Sequence, residues 1–167
     1  RINNIKDSNP YIIVPLDYPL NPNLKDPYQA LNYTTAELKH WDLAPDNIIV
    51  LSENKIDYSI TSYGIDKKDF RKNLKRSIDR GLLEEDALKA LTETPANMMG
   101  LGNQLGKIEK GYIANLTVVD GNYFDVKSKV ISNWISGQEY RVQPKYVVDI
   151  EGKWSIDIGP KNYILEL

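Results

Sequence analysis

Cysteine is absent from the chain. That excludes disulfides, thiolate metal sites and cysteine nucleophiles, while leaving the compartment open, because many exported proteins also have none. Histidine is nearly absent, His40 being the single imidazole. Most hydrolytic metal sites and most acid–base pairs use imidazole, so one histidine does not assemble a zinc site of three or four ligands. No apolar run approaches the roughly 20 residues that span a bilayer. The opening Arg1-Ile2-Asn3-Asn4-Ile5-Lys6-Asp7 has no apolar signal core and reads as an excised fragment. Net charge is −2 at pH 7, which gives no global reason to expect nucleic-acid or membrane binding. With 41% hydrophobic and 26% charged residues over 167 positions, the composition is that of a soluble globular protein. The length allows one respectable core or two small ones packed together.

What is present divides into an α/β front and an all-β back, with a seam near residue 105. Tyr11 to Leu16 (YIIVPL) reads as a buried strand with Pro15 near its end. Residues 19 to 33 carry Pro19, Pro22 and Pro27 among Asn and Asp and read as an irregular loop. Thr34 and Glu37 form a capping-box pattern that starts a helix carrying Leu38 and Trp41 inward, with Pro45 stopping it. Asn47 to Asn54 is apolar and fits helix or strand. Tyr58 to Thr61 reads as a strand running into Ser62-Tyr63-Gly64.

Asp66 to Arg80 gives the clearest helix, with Phe70, Leu74, Ser77 and Ile78 on one stripe and Gly81 at its end. Glu84-Glu85-Asp86 opens the next helix, whose buried side is expected to be Ala87, Leu88 and Leu91. Pro95 begins a further short turn. Beyond Gly102, short β-type runs begin at Ile108, Ile113, Leu116, Val130 and Tyr140. Tyr146 to Ile150, Trp154 to Ile158 and Tyr163 to Leu167 continue the style, with Gly159-Pro160-Lys161-Asn162 as a hairpin turn.

Residues 81 to 121 carry a string of residues at fixed spacing: Gly81, Ala87, Leu88, Thr92 or Thr94, Pro95, Ala96, Gly100, Gly106, Ile108, Gly111, Ala114, Asn115, Leu116 and Gly121. The passage resembles the stretch of many amidohydrolases in which a barrel's last helices lead back into a small β-sandwich. Its residues build scaffold, in that family as by their own chemistry: glycines for tight turns, alanines for close packing, Leu116 to Val119 for a strand. Upstream, HWDLAPDNIIVLSENKIDYSITSYG is similar to the imidazolonepropionase-like branch, where an apolar strand leads to a [ST]-[ST]-D-G turn. The resemblance implies an aspartate in that turn that ligates the metal and moves the proton of the attacking water. Tyr63 occupies the position, between Ser62 and Gly64. A phenol is a poor base at neutral pH and offers a weak oxygen where a carboxylate offers charge. Either the copy is degenerate, or the alignment shifts and Asp57 or Asp66 takes the role.

The resemblance covers residues 11 to 142 and implies a partial (β/α)8 barrel, its last strands and helices, followed by a β-sandwich segment. Residues 1–104 are expected to be the closing part of the barrel and 105–142 the sandwich segment. Residues 143–167 form an extra β-hairpin or the start of a following β module. No catalytic, cofactor-binding or metal-ligating residue is assigned. Zinc or another divalent metal is expected only in an active, longer protein whose H-x-H and later ligands lie upstream. The partners implied are the remainder of that polypeptide and, because a cut barrel exposes strand edges, further copies of the fragment.

The function expected is that of a non-catalytic scaffold. The alternatives are part of a metal-dependent hydrolase of C–N bonds and a β-rich binding module. The helix at 66–80 holds seven basic against three acidic residues, which encircle it as on a solvated outer helix. Eleven tyrosines and three tryptophans raise a glycan surface, but several sit on strand runs where such rings ordinarily pack. Gly100-Leu101-Gly102 follows no strand and is not a dinucleotide fingerprint.

Overall fold

The computed structural model describes Ile5, residues 11–144 and residues 152–166. The front is built on two parallel strands, β1 (Ile12–Pro15) and β2 (Tyr58–Thr61), in the register Ile12 to Tyr58 and Val14 to Ile60. Parallel strands need a crossover, and the chain between them is largely helical. A single turn, α1 (Pro27–Ala30), interrupts the expected loop; Asp26 accepts a hydrogen bond from the Tyr28 N–H and Pro27 sits where a missing N–H costs nothing. Helix α2 (Thr35–Leu43) begins at the Thr34–Glu37 capping box. It ends before Pro45, yet the chain stays helical, passing through a 3-10 turn (Ala44–Asp46) into α3 (Asn47–Glu53). Proline at the second position of a new turn is tolerated because that N–H has no partner there anyway.

Helix α4 (Lys67–Asp79) starts at Asp66, whose carboxylate accepts the Lys68 N–H. Its stripe faces the core through Leu74 and Ser77, both fully buried, with Phe70 and Ile78 packed alongside. The burial of a serine there has a chemical reason: Ser77 Oγ donates to the Pro45 carbonyl at 2.8 Å and meets the Tyr18 hydroxyl at 2.7 Å. Helices α5 (Glu84–Leu91) and α6 (Glu93–Met98) follow. Ala87 and Ala90 are the buried positions of α5, whereas Leu88 is 50% exposed. Leu88 lies one residue off the Ala87–Ala90–Leu91 row, on the helix's outer side.

Other expectations are corrected. The Tyr11–Leu16 run is buried only at Val14 and Leu16; Ile13 is 63% exposed, because the sheet has helices on one face. Leu38 and Trp41 are half-buried rather than core. Ile108 and Ile113 lie outside strands, and Ala114 is exposed, so close packing does not set its size.

The back contains a three-stranded antiparallel sheet, β3 (Leu116–Val119), β4 (Val130–Ile135) and β5 (Gln138–Arg141), in that order. The expected Ser136-Gly137 turn joins β4 to β5 with φ of 50° and 83°, the positive pair that suits a two-residue hairpin. The long β3–β4 loop returns to the front. Phe124 is buried in the front's core, and Arg71 of α4 donates to the carbonyls of Tyr123, Asp125 and Ser128 while stacking on the Tyr123 ring. Charge-assisted donation to carbonyls is among the stronger hydrogen bonds. Finally β6 (Lys153–Ile158) and β7 (Lys161–Glu166) form a hairpin turning at Gly159-Pro160, two residues tighter than expected. The run from Tyr146 to Ile150 lies outside the described residues.

Candidate functional site

Parallel strands bring their carboxyl ends to one side, and in open α/β sheets ligands gather there. Asp17 follows β1 and Ser62-Tyr63-Gly64 follows β2, so these two short segments form a rim. Gly64 permits their approach: its φ is +83°, and a Cβ there would lie 3.0 Å from Asp17 Oδ2. A substituted residue would be strained in backbone and would crowd a carboxylate.

Tyr63 stands on this rim with its side chain 82% exposed, and its N–H donates to Thr61 Oγ1 at 3.2 Å. Asp57 and Asp66, the two alternatives raised by the sequence, sit elsewhere. Asp57 precedes β2, so about 20 Å of extended chain separates it from Tyr63, and it accepts from Lys89 Nζ at 2.8 Å. That contact holds the lysine's pKa above its ordinary value. Asp66 is on the right side, but its carboxylate caps α4 and pairs with Lys68 at 3.1 Å. His40 is exposed on α2 and lines a second cleft of 500 Å³ beside β1, together with Lys39 and Asp17. Among the described residues no three His, Cys, Asp or Glu side chains are grouped to hold a metal ion.

Between the rim, α2 and α4 opens a cleft of 580 Å³. Asp17, Tyr18, Trp41, Asp69, Lys72 and Arg76 are among its lining residues; Tyr63 is not. Tyr18 is anchored by Ser77, and burial raises its hydroxyl above the ordinary phenol pKa, partly offset by the Ser77 hydrogen bond and by Arg76. The Arg76 guanidinium lies over the Tyr18 ring at 5.3 Å. Asn73 donates to the Leu16 carbonyl at 2.8 Å, fixing the end of β1 against α4. The sequence reading did not assemble this group. Asp17 was visible as the polar residue closing an apolar β-run, which is where a parallel strand presents a side chain to ligands. Nothing in spacing linked it to Arg76, 59 positions on.

Residues 59–153 match the sequence model of the Amidohydrolase family. Amidohydrolase tasK of Hapsidospora irregularis is 37% identical over 57 residues, which are 34% of this chain and 6% of that protein. An amidohydrolase from Thermotoga maritima MSB8 superposes with a TM-score of 0.61 at 28% identity, over 82% of this chain and 33% of its own. A prolidase complexed with N-methylphosphonate-L-proline superposes with a TM-score of 0.60 at 17% identity, over 83% and 36%. At that identity the likeness is one of fold. The chain thus spans about a third of the solved relatives and 6% of the curated one.

Proposed function

Because this chain belongs to the amidohydrolase family, we propose that it is the closing part of that family's barrel and acts there as scaffold, not as a source of metal ligands. The observation that carries the reading is Tyr63. It follows β2 in the turn where the family holds an acid, while Asp57 pairs with Lys89 before the strand and Asp66 is engaged as the α4 cap and with Lys68. The order β1, helices, β2, α4 is a parallel strand–helix repeat, as the last units of a (β/α)8 barrel require. In this proposal residues 1–104 close the barrel and 105–142 contribute β3–β5 to a sandwich completed by other strands. Residues 143–167 add the hairpin.

A second reading is favoured by the chain's span of about a third of its solved relatives. In it the longer protein is a metal-dependent hydrolase of C–N bonds whose ligands all lie beyond this chain, and Tyr63 borders its active site without ligating.

Elemental analysis separates the two. After incubation with zinc and desalting, this chain and a longer protein containing it are each assayed for bound metal. The scaffold reading expects no stoichiometric zinc in either. Zinc held only by the longer protein supports the second reading, and zinc held stoichiometrically by this chain overturns both.

A further inference from the structure

The hairpin β6–β7 carries an apolar face that the scaffold role does not use. Side chains alternate between the two faces of paired strands, so Trp154, Ile156 and Ile158 share a face with Tyr163 and Leu165, in the register Trp154 to Leu165 and Ile156 to Tyr163. Every residue of both strands is exposed, and Ile156, the most covered of these five, is still 40% exposed. Among the described residues the sheet contains these two strands only, so each strand keeps one edge without a partner strand. A lone two-stranded hairpin is marginal in water, and three or more strands with an apolar face are needed for independent stability. A regular open edge is also a template for a further strand. The match to the family's sequence model ends at residue 153, where β6 begins, so the hairpin stands outside it.

The order of charges along β6 selects the partner. Lys153 and Asp157 flank Ser155 symmetrically, with Trp154 and Ile156 between them. Turned end for end beside a copy of itself, this run sets Lys153 opposite Asp157 twice, Trp154 opposite Ile156 twice and Ser155 opposite Ser155. Opposite charges and aromatic–β-branched pairs are the favoured cross-strand neighbours, whereas like charges repel. We propose that β6 pairs antiparallel with the β6 of a second copy of this chain, making a four-stranded sheet in the order β7–β6–β6–β7. Charges then alternate across one face, from Glu166 to Lys153, which lie 3.5 Å apart within the hairpin, to the second copy's Asp157. The other face becomes a continuous apolar surface, running from Leu165 through Trp154 to the second copy's Ile156 and Tyr163. Strand β7 has no equivalent self-pairing, because Lys161 and Glu166 point to opposite faces of the hairpin. This inference goes beyond the scaffold role and does not depend on it.

Cross-linking of the full chain tests it. The chain has no cysteine, so a single introduced thiol reports only its own counterpart. Each variant also carries Ile13→Lys, which weakens association through the open face of the front. Ser155→Cys is expected to give a disulfide-linked dimer under mild oxidation. Residues directly opposite in an antiparallel pair have Cα atoms about 4.5–5.5 Å apart, which is within reach of a disulfide. Ile164→Cys, opposite Ser155 on β7, should stay monomeric on the gel, since three strand spacings, about 14 Å, separate the two copies. Adding Asp157→Asn removes the charge, keeps an acceptor for Asn162, and should slow the Ser155→Cys cross-link severalfold. Circular dichroism checks that every variant keeps the wild-type spectrum. No dimer from Ser155→Cys, equal or faster cross-linking through Ile164→Cys, or no effect of Asp157→Asn would each overturn the proposal.

Discussion

At the scale of single residues, the front is held by polar side chains that reach across long sequence separations. Arg80, at the end of α4, grips Asp46 with two hydrogen bonds, of 2.5 and 2.7 Å, and Asp42 with one of 3.1 Å. The guanidinium's hydrogen bonds hold the Asp46 carboxyl below its ordinary pKa, against a smaller opposing effect of desolvation. A depressed folded-state pKa means that the contribution is fully present above the unfolded value of about 4. It is lost as the pH falls through the lower folded value, because the unfolded chain takes up the proton first. Asp46→Asn is therefore expected to reduce stability modestly at pH 7 and to flatten the decline below about pH 4. Urea unfolding of both proteins at pH 7 and pH 3 measures this. An unchanged pH dependence would remove the pair from the account of acid stability.

Among elements, the decisive contact is between the α6 helix and the turn that follows it. Gly106 has φ of +92°, and a Cβ there would fall 2.8 Å from the Thr92 carbonyl oxygen and 3.0 Å from Glu93 Cα. Gly111 has a similar φ of +96° but open space around it. The two separate backbone strain from packing. Alanine at Gly111 carries only the backbone cost of a positive φ, about 1–2 kcal/mol. Alanine at Gly106 adds overpacking against helix backbone, about 1–3 kcal/mol more. Thermal melts should show Gly106→Ala falling well below Gly111→Ala, and equal losses would mean that the helix yields. The loop that carries Phe124 and accepts Arg71 joins back to front in the same way, since burying a phenylalanine side chain contributes roughly 1.5–3 kcal/mol.

For the whole molecule, two parallel strands make an incomplete sheet. Tyr11 and Ile13 are exposed on the face away from the helices, whereas parallel sheets are ordinarily covered on both faces. The hairpin β6–β7 is exposed along its length as well. Among the described residues no helix is long and apolar enough to cross a membrane. Open strand edges and apolar sheet faces pair readily with further protein. The chain is expected to self-associate in light scattering at high concentration. Ile13→Lys, which puts a charge on the open face, should shift it toward monomer. A wild-type chain that stays monomeric would show that the open strands tolerate water.

Some of this was legible in the order of residues, and the reason is locality. The capping box at Thr34 and Glu37, the α4 stripe, the Ser136-Gly137 turn and the final hairpin depend on neighbours a few positions apart, and their chemistry is written consecutively. The motif around Pro95, Gly106 and Gly111 pointed to the amidohydrolase family for the same reason, since fixed spacings record a fixed backbone path. Leu88 was misplaced because a short helix with alanines inward leaves its leucine outward. That choice was made by what packs against the helix, not by hydrophobicity alone. The cleft was illegible: Asp17, Trp41 and Arg76 come from β1's end, α2 and α4, and the contact of Tyr18 with Ser77 spans 59 positions. The sequence by itself determined the capped helices, the hairpin turns, the family and the tyrosine at the rim, but not the helix at Asn47–Glu53 or the turn at Pro27–Ala30. Tertiary structure alone decided which charges face one another, because a crossover between parallel strands brings together residues whose separation along the chain carries no record of their distance in space.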